Sequence, residues 1–146
     1  MGKVSLIIGS TSDKELGDNA EEVLKEFEID YDYQVISSHR NPDYLADYIG
    51  DSDADIFIAI AGLSAALPGT IAAHTVKPVI GVPKDVRLGG LDSLLSIVQM
   101  PTGVPVATVA IDNPKNAALL AIEILALSDE KLEEKLIKYR EKRAKK

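Results

Sequence analysis

The chain has 146 residues, of which 46% are apolar and 27% charged, with a formal net charge of −7 and no cysteine. That length suits one domain, residues 1–146, with a core of its own. The acidity argues against general nucleic-acid binding, and the missing thiols exclude disulfides, thiolate nucleophiles and cysteine metal sites.

"KVSLII" (3–8) reads as a buried strand, after which Leu16, Ala20, Val23, Leu24 and Phe27 recur at helical spacing. The apolar run at this end is too short for a signal-peptide core. "YDYQVI" (31–36) is the second strand. A helix over 42–49 follows, with Asn41 at its cap and Pro42 at the first helical position. "DIFIAI" (55–60) is the third strand, followed by a turn of small residues and a short helix in "LPGTIAAHT" (67–75). "PVIGVP" (78–83) is the fourth, "LDSLLSIVQM" (91–100) a helix, and "PVATVAI" (105–111) the fifth strand. Helices over 114–127 and about 129–143 close the chain. Residues 131–146 hold eight Lys or Arg and three Glu, a local charge of +5 that leaves −12 elsewhere. Cations at a helix C-terminus complement the dipole, so an exposed final helix is expected rather than an anion-binding arm. No stretch reaches the roughly 18–20 apolar residues of a membrane span, and a cytoplasmic protein without membrane contact is the expectation.

Alternating strands and helices, with strands apolar throughout, predict a parallel sheet covered on both faces and right-handed crossovers. The fold class is α/β: a three-layer, flavodoxin-like or Rossmann-like sandwich of about five strands with an added C-terminal helix. Residues 117–127 carry a single charge, Glu123. A helix apolar nearly all round needs cover on more than one face, and an uncovered apolar patch of that size marks an interface, which predicts a homo-oligomer.

In such a sheet, ligands bind beyond the C-terminal strand ends, where strand order reverses. Four segments qualify: "GSTSD" (9–13), "SSHRNPD" (37–43), "AGLSAALPG" (61–69) and "KDVRLGGLDS" (84–93). The first puts hydroxyls at a helix N-terminus, which favours an anion. Asp13 would repel a phosphate and suits ribose hydroxyls instead. The same residues also spell a capping box, Ser12 with Glu15, and nucleotide fingerprints are absent. In the second segment, Arg40 offers a planar fork of donors matched to phosphate. His39 is of the one residue type that ordinarily titrates near neutral pH.

Other chemistries fit less well. "GLSAA" (62–66) resembles a nucleophile elbow with Ala66 in place of the last glycine, but the one later histidine, His74, lies only ten residues on from Ser64. "DSDAD" (51–55) starts like a calcium loop, yet Ile56 stands where glycine is needed and Gly62 where a bidentate glutamate is needed. It reads as a solvated turn. The two histidines form no metal-ligand motif, so no metal site is expected.

Together "GSTSD", "SSHRNPD", "AGLSAALPG", "GVP", "LDSLLSIVQMPTGVPVATVAI" and "NAALLAIEILAL" resemble the PurE family of purine-biosynthesis enzymes, from about Lys3 to Leu127. The resemblance implies a mutase moving the carboxyl group of N5-carboxyaminoimidazole ribonucleotide from the exocyclic nitrogen to C4, without metal, biotin or ATP. It implies His39 as proton shuttle, and Ser10, Ser12, Asp13, Ser37 and Arg40 as the ribose-phosphate binders. The loop from Ala61 to Leu67, with Gly62, Leu63 and Ser64, would surround the base and carboxyl group. It also implies an octamer with sites near subunit boundaries.

One departure stands out. Mutases of this family commonly carry a histidine where this chain has Ala66, and His74 is too far along to be a simple shift. A second class carboxylates aminoimidazole ribonucleotide directly with CO2 and typically has Lys-Gly after its histidine, where this chain has Arg40-Asn41. Arg40-Asn41 sides with the mutases; Ala66 leaves room for direct carboxylation or, further off, for an inactive ribonucleotide-binding module.

Overall fold

The computed structural model describes residues 2–145. Strands β1 (Lys3–Ile8), β2 (Asp30–Val35), β3 (Ile56–Gly62), β4 (Val79–Lys84) and β5 (Ala107–Thr108) alternate with helices α1 (Lys14–Glu26), α2 (Pro42–Asp51), α3 (Leu67–Ala73) and α4 (Leu91–Val98), before α5 (Pro114–Ala126) and α6 (Glu130–Ala144). All strand pairs are parallel, in the order β2-β1-β3-β4-β5. The chain steps outward from β1 to β2 and then returns to the other side of β1 for β3. The order therefore reverses between β1 and β3, and the expected α/β sandwich is the one found.

Period-two alternation in the central strands splits the core into two layers. Val4, Leu6, Ile8, Ile56, Ile58 and Ile60 pack with Ala20, Leu24, Ala118 and Ile122 of α1 and α5. Ile7, Phe57, Ala59 and Ala61 face the other way, onto Leu45, Leu67, Ile71 and Ile97 of α2, α3 and α4. Ser5 lies on that second face, fully buried, with its hydroxyl 2.7 Å from the Tyr48 hydroxyl. In β4, glycine at 81 permits close approach of two helices, since a Cβ there would sit 2.5 Å from Ile97 Cγ2 and 3.2 Å from Pro68 Cγ.

The fifth strand is much shorter than the apolar run 105–111 suggests. Only Ala107 and Thr108 pair with β4. Pro105 has no amide to donate, and the chain turns away at Asp112, whose φ is 56°. The "DSDAD" segment is a turn, and a used one: the Lys3 ammonium lies 2.8 Å from Asp53 and 3.2 Å from Asp32. Those two bonds raise the Lys3 pKa above its ordinary range, and the Lys3 bond lowers that of Asp53.

Helix α6 is clamped down rather than free. Leu132 and Leu136 are buried, Tyr139 meets Phe27 at 5.4 Å between ring centroids, and Arg143 stands 5.6 Å over the Tyr139 ring. Helix α5 is consequently covered within the subunit by α1, α6, β3 and β4. Leu119, Leu120, Ile124 and Leu125 of α5 are nevertheless only partly buried, and Leu127 at its end is exposed. The bare stripe lies on α4 instead, where Leu91, Leu95 and Val98 share one face and are all exposed, beside exposed Leu88. Among the described residues, no helix is long and apolar enough to cross a membrane.

Candidate active site

A cleft of about 530 Å³ opens at the C-terminal ends of β1, β2 and β3, at the reversal of strand order. Ser10, Ser12, Asp13, Ser37, His39, Arg40, Ala61, Gly62, Leu63, Ser64 and Leu67 all line it, joined by Gly9, Ser38, Ala65, Ala66 and Val86. Residues up to 77 positions apart in sequence, Gly9 and Val86, thus face one space.

The turn after β1 folds differently from the capping box in its sequence. Ser10, not Ser12, caps the 3₁₀ turn Thr11–Asp13, its Oγ accepting the Ser12 amide at 3.3 Å. The Ser12 hydroxyl donates to the same Oγ at 3.1 Å. Asp13 occupies the cap position of α1 without a side-chain cap bond. Its carboxylate is instead 3.1 Å from the Lys84 ammonium, which also donates to the Ser12 carbonyl at 2.6 Å. Asp13 is only 5% exposed, a degree of burial that a charged carboxylate tolerates only with a partner.

After β2, the amide and Nε of Arg40 both donate to the Ser37 hydroxyl, at 3.1 and 3.3 Å. Nε is thereby committed, and the two terminal guanidinium nitrogens are left as the fork. His39 and Arg40 are exposed at the cleft, as groups that must meet a ligand should be. Asn41 holds the cap position of α2 with no side-chain cap bond.

The wall after β3 is made by packing. Ala61, Ala65 and Leu67 are buried. At Gly62 a Cβ would sit 2.6 Å from Val86 Cγ2, so only glycine lets Val86 lie across the strand end. Leu63 has a φ of 57° and is half exposed. That left-handed conformation costs a non-glycine residue about 1–2 kcal/mol, and backbone strain of this kind gathers at ligand sites. Ala66 lines the cleft where a histidine was expected of mutases. His74 does not replace it: it ends α3, its Nδ1 2.8 Å from the Thr70 carbonyl, at the far end of the helix from the cleft. Among the described residues there is no group of three or more acidic or histidine side chains suited to a metal.

Two residues escaped the sequence: Lys84, which reaches Asp13 across 71 positions, and Val86. Both lie in the segment 84–93 at the end of β4 that the strand-end rule selected, but nothing local distinguishes them from other residues there.

Residues 3–146 match the AIR carboxylase family. The chain belongs to that family. Among curated members, the N5-carboxyaminoimidazole ribonucleotide mutase of Methanocaldococcus jannaschii is 54% identical over 143 residues, covering 98% of this chain and 91% of the relative. The mutase of Pyrococcus abyssi is also 54% identical, with 97% and 83% covered. Among solved structures of the family, Treponema denticola PurE superposes with a TM-score of 0.83 at 30% identity, covering 98% of this chain and 92% of that one. A Treponema denticola PurE2-S38D structure gives 0.87, also at 30% identity.

Proposed function

We propose that this AIR carboxylase family member is an N5-carboxyaminoimidazole ribonucleotide mutase of purine biosynthesis, with His39 as its general acid and base. The supporting observation is the pairing of a histidine and an oriented arginine with an apolar loop across one cleft. The Arg40 fork and the Ser10, Ser12 and Ser37 hydroxyls hold the phosphate, and Asp13 accepts from the ribose. These remote contacts supply the binding energy that positions the imidazole ring.

The carboxyl group then leaves the exocyclic nitrogen as CO2. The bonding pair stays on nitrogen, which takes a proton from protonated His39. The C4 carbon attacks the trapped CO2, and the now neutral imidazole removes the C4 proton, returning His39 to its starting form. One proton enters and one leaves, so a single group near its own pKa serves both steps. Gly62, Leu63, Ala65, Ala66 and Leu67 form the apolar enclosure that keeps water out and CO2 in.

Purified protein should convert N5-carboxyaminoimidazole ribonucleotide without added bicarbonate. Activity restricted to aminoimidazole ribonucleotide plus CO2 would make it a direct carboxylase, the reading that Ala66 favours. Ligand binding without either turnover would leave an inactive binding module.

We also propose a homo-oligomer in the cytoplasm, an octamer by family resemblance, with α4 rather than α5 at the interface. The exposed stripe Leu88, Leu91, Leu95 and Val98 begins two residues after the cleft-lining Val86 in the chain, so a subunit seated on it would approach the site. Leu95→Glu should lower the mass seen in light scattering; an unchanged mass would remove α4 from the interface.

A further inference from the structure

The geometry points to Lys84 as a positioning residue that turns Asp13 into a fixed acceptor for a ribose hydroxyl. Asp13 is the one carboxylate lining the cleft. Left alone it would be a liability: a buried anion beside the place where a phosphate must sit. The Lys84 ammonium cancels that charge from behind. It holds Oδ1 at 3.1 Å and is itself anchored by the Ser12 carbonyl at 2.6 Å, both side chains being largely buried. Lys84 does not line the cleft, so it acts through Asp13 rather than on the ligand.

The bond to Oδ1 decides which oxygen is left for the ligand. Oδ2 points to the Gly9 side, 3.7 Å from where a Cβ on that cleft-lining residue would lie. With Oδ1 committed, the carboxylate cannot rotate to present both oxygens to water, and Oδ2 stays aimed at one spot. The anchor comes from β4, whose Lys84 pairs in register with Gly62 of β3. The acceptor on the polar wall is therefore set by the strand that carries the apolar wall's support. The ligand feature it selects is a ribose hydroxyl, since a deoxyribose offers one donor fewer at the same position.

This inference rests on the ribonucleotide reading of the cleft, and binding separates the two. The measurement is equilibrium affinity for aminoimidazole ribonucleotide and its 2′-deoxy counterpart, in wild type, Lys84→Met, Asp13→Asn and the double variant. Because a hydrogen bond to a charged group is involved, wild type should prefer the ribonucleotide by roughly tenfold or more. Lys84→Met should erase that preference and raise KM for N5-carboxyaminoimidazole ribonucleotide with little change in kcat, and Lys84→Arg should restore part of the preference.

Lys84→Met alone leaves a buried unpaired carboxylate, which destabilises the fold. The double variant removes both charges and carries the test. If Lys84 works through Asp13, Asp13→Asn and the double variant should bind equally, because the two losses do not add. A further loss of affinity in the double variant, or a ribose preference that survives in it, overturns the role of Lys84. Wild-type protein that binds neither nucleotide overturns the ribonucleotide reading, and the role of Lys84 with it.

Discussion

The two walls of the cleft begin alike and end as opposites. Each starts at the C-terminal end of a parallel strand and enters a helix within a few residues. Residues 9–13 and 37–40 are held by directed bonds: Ser12 to Ser10, Arg40 to Ser37, Lys84 to Asp13. Residues 61–67 are held by packing, with Ala61, Ala65 and Leu67 buried and Gly62 pressed under Val86. The difference separates two tasks that a carboxyl transfer needs. On the proposed reading, directed donors grip a charged handle in one orientation, and an apolar wall keeps an uncharged gas from water. Damage to one wall should therefore show in a different constant from damage to the other.

The largest effect should come from His39→Asn, which keeps the polar wall's contacts but removes the titrating group. A fall in kcat of about 10²–10⁴-fold is expected, with nucleotide affinity nearly unchanged by calorimetry. Near-normal turnover in this variant would remove His39 from the mechanism. Next comes Arg40→Ala, which withdraws a charged fork from the phosphate. Hydrogen bonds to charged groups contribute about 1.5–3 kcal/mol, so steady-state kinetics should show KM rising at least tenfold and kcat falling much less. An unchanged KM would mean that the phosphate lies elsewhere.

The smallest energetic effect belongs to the apolar wall. Leu63→Gly relieves about 1–2 kcal/mol of left-handed strain but gives back about 0.5–1 kcal/mol through the freer unfolded chain. Thermal unfolding should thus move little, and upward. The chemistry should move more: with the Leu63 side chain gone from the enclosure, released CO2 escapes, and aminoimidazole ribonucleotide should accumulate beside the product. Clean conversion with no such leak would show that the polar wall alone retains the intermediate.

Much of this was legible in advance. Period-two and period-3.6 patterns located the central strands and the helices, and all eleven residues proposed for the site line one cleft. What the patterns missed has physical causes. The run 105–111 is apolar enough for a strand, but Pro105 and the turn at Asp112 leave it two paired residues. Ser12 and Glu15 spell a capping box, yet the 3₁₀ turn before α1 makes Ser10 the cap. The apolar face of α5 is real, but α1, α6 and the sheet cover most of it, while the comparable face of α4 stays bare. Periodicity says how much of a helix must be covered and not which element covers it.

What the sequence determined by itself is local and additive: which segments are strands, where they end, and which side chains stand at those ends. Hydrophobic period and turn chemistry act over a few residues, so they can be read in order along the chain. Only the tertiary structure decided the pairings across the sheet. Lys84 meets Asp13 because β4 lies beside β3 and β3 beside β1, and Val86 crosses Gly62 for the same reason. An ion pair spanning 71 residues depends on strand order, and strand order follows from how the whole chain buries its apolar surface rather than from any segment of it.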